Sequence, residues 1–354
     1  MEGKNNKQPQ RHHGAKKKAQ LPLAYKEILA QFGLDGSYAI WPIQPGVFKV
    51  SAPKGEYCLK LVPYGPEKSQ FLYDIMTYLY EKGFFRISKP VATLEGACGL
   101  ASPEGYYTMN RWVGGIPCVL DNEFHLQAAG RCLGAFSCAA QGGTLLPGGK
   151  VGYHQWGERF AQRTEDLCRW DRELRQKHKR NPWEQLYLKV APGMIRDGVA
   201  AENLLKHSAY AYLADEALYY RTFVHRDVAA RNFIIGADGE GWLIDFDYCR
   251  YDLPLTDIVR FVERGLKAVV YTPRQLDHMV ASYDSIRPID REEYRVISAM
   301  LLFPQKFWRL SERYFADPKT ALKQGAYYKL IQTLGQMKEH KDIWIYFQGK
   351  YGCR

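Results

Sequence analysis

Three polar side chains stand at the ends of two short apolar segments near the middle of the chain. Asp227 and Asn232 precede the segment Phe-Ile-Ile at 233–235, and Asp245 follows the segment Trp-Leu-Ile at 242–244. An Asp-Gly pair lies between the two segments, and this dipeptide is typical of the tight turn of a β-hairpin. Because a hairpin brings its two ends together, we expect the two carboxylates and the amide to converge.

This set of oxygen atoms suits chemistry with magnesium and phosphate. Mg²⁺ prefers hard oxygen ligands and usually completes its shell with water and substrate phosphates. Asn232 and Asp245 would be the protein ligands, and Asp227 would accept the proton of an attacking hydroxyl group. Phosphoryl transfer asks little more of a protein than positioning and charge neutralisation. The spacing therefore predicts a site for phosphoryl transfer to an alcohol.

A lysine in an apolar strand precedes these residues. Residues 38–62 have the pattern of three strands, and Lys60 lies between apolar neighbours in the last of them. A carboxylate or a phosphate would explain a lysine there. A lysine on an edge strand that points into water is the simpler alternative, and Lys60 taken alone favours it.

A helix is predicted to follow, beginning at Pro66 because proline suits the first helical position and closing at Lys82-Gly83. Glu67 could pair with Lys60. Glu67 could instead interact with the helix dipole, which its position alone favours. Asp74 is a less well-placed partner for Lys60.

The remaining chain divides into a strand-rich part and a helical part. Strands are predicted at 89–93 and 105–112, and a Gly-Gly pair follows at 114–115. Helical periodicity dominates from residue 121 and predicts, among others, one helix at about 201–220. We therefore predict an N-terminal nucleotide-binding lobe at 23–115 and a helical C-terminal lobe, catalytic and substrate-binding, at 116–354. A flat base commonly binds at such a connection between lobes.

Composition excludes several classes of protein. The chain has 354 residues, 46% of them hydrophobic and 25% charged, which excludes a chain disordered throughout. No apolar run is long enough to span a membrane, and the N-terminus lacks the apolar core of a signal peptide. The eight cysteines are scattered, as expected for free thiols in a reducing compartment.

The chain carries a formal net charge of +11, and its first residues are strongly basic. Residues 1–22 have almost no apolar side chains, so we expect a disordered basic tail. Such a tail can hold an anionic partner by counterion release, although a solvated tail without a partner is the simpler alternative. No zinc spacing or RNA-binding sheet motif is present, so nucleic acid is not the expected partner.

The letters HRDVAARN at 225–232 resemble the catalytic loop of protein-kinase-like folds. The following IDFD at 244–247 and the later Asp257 resemble aminoglycoside phosphotransferases and choline kinases. The segment IDFDYCRYDLPLTDIVRF, the run LLFPQKFW at 301–308 and the C-terminal helices narrow the resemblance to CotS-type spore coat proteins of endospore-forming bacteria. It covers roughly residues 25–345.

The resemblance implies an α+β, bilobal protein-kinase-like fold, with a small antiparallel sheet lobe followed by a larger helical lobe. It implies ATP and Mg²⁺ as cofactors, synthesis in the mother-cell cytoplasm, location in the spore coat and other coat proteins as partners. Asp227 would be the base-like acid, Asn232 and Asp245 the magnesium ligands, and Lys60 the lysine that contacts phosphates, with Glu67 as its candidate partner.

Four further residues of the motif receive expectations. We expect His225 to pack and hydrogen-bond within the loop rather than to move protons, and Asp257 to hold the loop, because acids at helix N-termini are usually structural. Asp247 is either a second metal-side oxygen or a loop-shaping acid. Arg226 could pair with an acid that the sequence does not identify.

Departures from the pattern leave two functions open. The first turn offers one glycine beside a proline, at Pro45-Gly46, instead of a glycine-rich phosphate loop. The first hypothesis is an ATP-dependent phosphotransferase acting on a small-molecule or protein hydroxyl group. The alternative is a catalytically inactive kinase-fold protein that serves in coat assembly. An acceptor pocket would lie among the C-terminal helices, although the aromatic residues there have the spacing of a core (Phe303, Phe307, Trp308 and Tyr314).

Overall fold

The computed structural model describes residues 23–265 and 272–352, so the predicted basic tail lies outside the described residues. The strands are β1 (Ala39–Gln44), β2 (Val47–Ala52), β3 (Gly55–Val62), β4 (Pro90–Val91), β5 (Leu100–Ser102), β6 (Gly105–Arg111), β7 (Ile116–Pro117), β8 (Phe223–Val224), β9 (Phe233–Ile235), β10 (Gly241–Leu243) and β11 (Arg250–Tyr251). The helices are α1 (Leu23–Gln31), α2 (Pro66–Glu81), α3 (Glu123–Ala139), α4 (Gln155–Gln176), α5 (Pro182–Lys206), α6 (Tyr210–Tyr219), α7 (Leu255–Gly265), α8 (Pro273–Asp284), α9 (Arg291–Leu302), α10 (Gln305–Ala316), α11 (Pro318–Lys323) and α12 (Ala326–Tyr351).

The first lobe is built on an antiparallel sheet in the order β1-β2-β3-β6-β4, with β5 beside β6. Strand β3 is paired on both sides, and Lys60 lies opposite Val47 of β2 and Thr108 of β6. The alternative of an edge-strand lysine is therefore wrong. One face of the sheet packs on α1 around Leu29 and Leu59, both fully buried.

The predicted hairpin is present and is joined by a third strand. Strands β9 and β10 pair antiparallel with Phe233 opposite Leu243, and the short β7 adds to β9. The turn between them contains Gly239 with a positive φ, a backbone conformation that glycine adopts without strain. The hairpin lies at the base of the first lobe, where Ile87 forms a bridge to Leu243.

The second lobe is helical, which confirms the predicted α+β, bilobal kinase-like fold. The prediction of one helix over 201–220 is wrong, because α5 ends at Lys206 and α6 begins at Tyr210. Between them the Ser208 hydroxyl accepts the backbone N–H of Tyr210. A serine side chain that competes for backbone hydrogen bonds in this way interrupts a helix.

Helix α2 ties the two lobes together. Its apolar face enters the large core of the helical lobe, where the Phe71 ring lies 5.6 Å from the Tyr251 ring. Phe84, just after α2, lies 6.0 Å from Phe136 of α3. The shared core holds the sheet lobe against the hairpin that carries the candidate site.

Two further expectations concern the whole chain. The seven cysteines of the described residues are free, as predicted, and Cys353 lies outside those residues. Among the described helices, none combines the length and the apolarity needed to cross a membrane.

Candidate functional site

Lys60 reaches across the cleft between the lobes to the aspartates that follow β10. Its Nζ lies 2.6 Å from Oδ1 of Asp245 and 3.6 Å from Oδ1 of Asp247. Burial alone would lower the pKa of Lys60, but Asp247 and Asp245 outweigh burial and raise it. Burial would likewise raise the pKa of Asp245, yet the Lys60 ammonium holds it below its ordinary value. Lys60 and Asp245 therefore carry their charges at neutral pH.

The predicted pair between Lys60 and Glu67 is not formed. Glu67 lies in the first turn of α2 and is exposed, so it takes the helix-dipole position that the sequence left open. The hydroxyl of Tyr64 instead donates to Oδ1 of Asp247 at 2.9 Å. Tyr64 and Lys60 thus fix Asp247 from the sheet side, which makes it a shaping acid of the site.

The carboxylate of Asp227 is buried and fully engaged. Arg231 donates to its Oδ2 at 2.6 Å, and Arg264 of α7 donates to its Oδ1 at 2.8 Å. Asn232 donates from Nδ2 to the same Oδ2 at 2.9 Å and to the backbone carbonyl of Asp227 at 2.7 Å. Two guanidinium groups and one amide therefore fix the orientation of this carboxylate.

The hairpin brings Asn232 and Asp245 to the same cleft. The backbone N–H of Ile244 donates to the carbonyl of Asn232 at 2.9 Å, so the two residues stand on adjacent strand ends. Nδ2 of Asn232 donates to Asp227, whereas Oδ1 of Asn232 has no hydrogen bond to a described residue. The amide oxygen of Asn232 and the carboxylate of Asp245 line the same cleft and are a donor set that fits Mg²⁺. Within the described ranges, no group of three or more His, Cys, Asp or Glu side chains has a metal-binding arrangement.

A network of backbone hydrogen bonds holds the loop that carries Asp227. Asp257, in the first turn of α7, accepts the backbone N–H groups of His225 at 2.6 Å and Arg226 at 2.8 Å. This is the loop-holding contact predicted for Asp257, and burial raises the pKa of its carboxyl group to about 6. Arg226 has φ 68° and Asp245 has φ 71°, left-handed values that non-glycine residues adopt only where their surroundings impose them.

His225 is buried at the centre of this network. Its Nε2 lies 3.0 Å from the carbonyl of Ile244, and its Nδ1 accepts the backbone N–H of Asp227 at 3.3 Å. Burial lowers the pKa of His225 to about 4, so the ring is neutral and Nε2–H donates. His225 links the loop to the residue before Asp245, which agrees with the packing role predicted for it.

A cleft of about 280 Å³ opens between the lobes in front of these residues. Ile43, Gln44 and Val47 of the first hairpin form one wall, and Asn232 and Asp245 form the opposite wall. The connection at 111–113 closes the inner end. This is the connection at which the sequence predicted a base-binding site.

A second cavity, of about 320 Å³, lies among α4, α7, α9 and α10 and is lined by Arg264, which donates to Asp227. Phe303 lines it, whereas Phe307 and Tyr314 are buried in a separate hydrophobic core. The cavity is thus built from the helices expected to form an acceptor pocket, but with a different chemical lining. Arginine is the most frequent residue type in its lining.

Sequence reasoning missed the residues that hold Asp227. Arg231 stands in the motif itself, four residues after Asp227, and that spacing could have indicated the ion pair. Arg264 is 37 residues away from Asp227 in the sequence, and only the packing of α7 brings it to the site. No pattern in the sequence indicated Tyr64, which donates to Asp247 rather than to Asp227.

The chain matches known proteins over most of its length. A model of the phosphotransferase enzyme family matches residues 44–296. Spore coat protein S of Bacillus subtilis (strain 168) is 22% identical over 306 residues, which cover 84% of this chain and 85% of that protein.

Two solved structures share the fold. The aminoglycoside phosphotransferase of Alicyclobacillus acidocaldarius superposes with a TM-score of 0.78 at 19% identity, over 96% of this chain and 99% of that chain. A spectinomycin phosphotransferase in complex with ADP and spectinomycin gives a TM-score of 0.56 at 13% identity, over 93% of this chain and 94% of that chain.

Proposed function

Because the chain belongs to the phosphotransferase enzyme family, we propose that it transfers the terminal phosphoryl group of ATP to a hydroxyl group of an acceptor. One observation carries the proposal: Lys60 of the sheet lobe lies 2.6 Å from Asp245 of the hairpin, at the cleft that Asn232 also lines. A lysine, a carboxylate and an amide gathered at one cleft, with a buried acid behind them, provide the charges that phosphoryl transfer requires.

The cleft between the lobes has the parts needed to hold a nucleotide. The wall from the first hairpin and the connection at 111–113 would take the base, and Lys60 would contact the phosphates. The structure of the spectinomycin phosphotransferase contains ADP, and that of an amicoumacin kinase of the same fold contains AMP-PNP and Ca²⁺. Those complexes support nucleotide and divalent-cation use by this chain. The single glycine of the first turn, Gly46, leaves much of the phosphate binding to Lys60 and the cation.

Asn232 and Asp245 would hold Mg²⁺, which neutralises phosphate charge when bound. Asp227 accepts the proton of the acceptor hydroxyl as the acceptor oxygen bonds to the γ-phosphorus. The bond between that phosphorus and the β,γ-bridging oxygen breaks, and the products are ADP, a phosphate ester and a proton. Arg231 and Arg264 orient the carboxylate of Asp227 for this role.

The test combines binding and turnover in the wild type and Asp227→Asn. MgATP should raise the melting temperature of both proteins, because a ligand that binds only the folded state stabilises it. Turnover should fall by about 10²- to 10⁴-fold in Asp227→Asn, the usual effect of removing a general base. Differential scanning fluorimetry and a coupled ADP assay measure the two quantities. An unchanged rate would refute the role of Asp227.

A second function, in spore coat assembly, has its own support. The similarity to spore coat protein S supports location in the spore coat after synthesis in the mother cell, with other coat proteins as partners. A protein that acts only in assembly would not need nucleotide. No thermal shift at millimolar MgATP would therefore favour the inactive, structural alternative over phosphoryl transfer.

A further inference from the structure

The cavity among α4, α7, α9 and α10 is lined by eight cationic side chains and a single carboxylate, that of Glu263. Arg264 lines this cavity and also donates to Oδ1 of Asp227 at 2.8 Å. The backbone of Arg226, another lining residue, adjoins Asp227 directly. The cavity therefore opens beside the acid that would receive the acceptor proton.

Most of these cations lack a charge partner. Arg250 and Arg264 are paired with Asp252 and Asp227. The remaining six form no ion pair with any described residue (Arg159, Arg163, Arg226, Arg260, Lys306 and Arg309). Two of them, Arg159 and Arg163, donate only to neutral glutamine side chains. The cavity thus holds a positive charge that the described part of the chain does not neutralise.

Several polar atoms in its walls are buried without a hydrogen bond to a described residue. They are Nζ of Lys306, Nε of Arg260, Nε of Arg250 and Oγ1 of Thr256. Arg250 is 6% exposed and Thr256 is 2% exposed, so bulk solvent does not supply hydrogen bonds to their unpaired polar atoms. A buried donor without an acceptor costs free energy, and such costs are usually offset by a ligand, an ion or water.

Burial and neighbouring cations lower the pKa values of two arginines of the cavity. Burial, followed by the nearby guanidinium groups of Arg260 and Arg250, lowers the pKa of Arg226 to about 9. Burial and then Arg159 lower the pKa of Arg163 to about 10. Arg226 and Arg163 remain charged at pH 7, and an anion bound among these cations would offset their mutual repulsion.

We propose that this cavity is the acceptor site, and that the acceptor is a small alcohol that carries two or more phosphate groups. The inference rests on the proposed phosphoryl transfer and names its substrate class. A phosphate carries a charge of about −1.5 to −2 at pH 7, so two of them match most of the surplus of cations. The planar guanidinium groups bind phosphate oxygens in pairs, which explains why arginine rather than lysine dominates the walls.

The size and the charge of the cavity exclude other acceptor classes. A volume of about 320 Å³ is at the lower end of small-molecule sites and suits a phosphorylated sugar or polyol better than a folded protein. A cationic amino sugar or a quaternary ammonium alcohol would meet unpaired cations of the same sign. Such molecules should not enter this cavity.

The experiment compares two variants on the same helix. Lys306→Gln combined with Arg309→Gln removes two unpaired cations from the cavity, and Arg313→Gln removes an exposed cation of α10 that does not line it. Calorimetry with the full chain, without nucleotide and at about 0.15 M salt, measures binding of fructose 1,6-bisphosphate, inorganic tripolyphosphate and kanamycin. The N-terminal residues are the same in all proteins, so any binding by the basic tail cancels in the comparison.

We expect both polyphosphates to bind the wild type and Arg313→Gln alike, to bind the double variant at least 10-fold more weakly, and kanamycin not to bind. We also expect the unliganded double variant to melt no lower than the wild type, because charge repulsion is removed. Absence of saturable binding of both polyphosphates at millimolar concentration, or equal binding by the double variant, would overturn the inference.

The two proposals fail separately. A thermal shift with MgATP but no polyphosphate binding would remove the substrate class and leave phosphoryl transfer intact. Polyphosphate binding that depends on Lys306 and Arg309, without any response to MgATP, would support the anion site and refute phosphoryl transfer.

Discussion

Asp227 and Lys60 show how single residues acquire their chemistry from their neighbours. Asp227 receives three side-chain donors on its two carboxylate oxygens, so its orientation is fixed. Lys60 faces two carboxylates and keeps its charge in spite of burial. The charges of the site are therefore set in the folded protein before any ligand binds.

His225 makes a testable contribution to the pH dependence of stability. Burial lowers its pKa from the ordinary 6.5 to about 4, so the unfolded chain binds a proton in this interval and the folded protein does not. The free energy of unfolding should therefore fall as the pH falls from about 6.5 to about 4, by up to about 3 kcal/mol at 1.4 kcal/mol per pKa unit. Urea denaturation gives the free energy of unfolding of the wild type and of His225→Gln at each pH. The difference between the two proteins measures the contribution of His225.

The comparison with the variant is needed because Asp257 acts in the opposite direction. Burial raises its pKa to about 6, so its ionisation lowers the stability of the fold as the pH rises toward 6. This contribution is common to both proteins and cancels in the difference. A difference that stays constant between pH 7 and pH 4 would contradict a neutral, buried His225.

At the scale of elements, the connection between the lobes depends on a short strand that approaches another backbone closely. Strand β7 pairs with β9 directly after Gly115, which has φ 138°. A Cβ atom at Gly115 would lie 2.2 Å from the carbonyl oxygen of Ile235. Only glycine lets the chain leave the nucleotide cleft and join the hairpin at this distance.

Gly115→Ala should therefore destabilise the protein by at least about 1–3 kcal/mol, the usual cost of a residue held in a sparsely populated backbone conformation. The neighbouring Gly114→Ala is the matched control, because no atom lies within 4 Å of a Cβ there. Its effect should stay within about 0.5 kcal/mol, as for other surface substitutions. Chemical denaturation of the two variants gives both numbers, and equal stabilities would contradict the close approach.

At the scale of the whole molecule, the sheet lobe and the helical lobe share part of one hydrophobic core. The sheet has its own core with α1, but the apolar face of α2 belongs to the core of the helical lobe. Asn232 lines the cleft between the lobes and Arg264 lines the cationic cavity, and both donate to the carboxylate of Asp227. The ion pair between Lys60 and Asp245 spans the cleft between the lobes.

Loss of that ion pair should affect both stability and ligand response. Lys60→Gln leaves Asp245 and Asp247 close together without their shared cation. We expect the melting temperature to fall by a few degrees and the shift induced by MgATP to disappear almost completely. Lys26→Gln, which alters an exposed lysine of α1, is the control and should change neither quantity. A normal MgATP shift in Lys60→Gln would remove Lys60 from the nucleotide site.

Local patterns in the chain predicted much of this molecule. Two short apolar segments and an Asp-Gly turn predicted β9 and β10, and a proline followed by helical periodicity predicted α2 with correct bounds. The divided helix at 201–220 was missed because one serine competes for backbone hydrogen bonds, which periodicity does not register. Helix α5 was missed where Pro192 lies inside it, since proline normally ends a helix.

The sequence by itself determined the hairpin and the loop before it, because each depends on residues close together in the chain, whereas the fold was implied by the resemblance of these motifs to a known family. Only the tertiary structure decided that Lys60 pairs with Asp245 and Asp247 rather than with Glu67, and that Arg264 holds Asp227. The cationic cavity was likewise decided by the tertiary structure, since its arginines come from helices α4, α7 and α10, strand β11 and the loop before Asp227. Electrostatic interactions act through space and not along the chain, so residues far apart in sequence become partners only when helices and strands have packed.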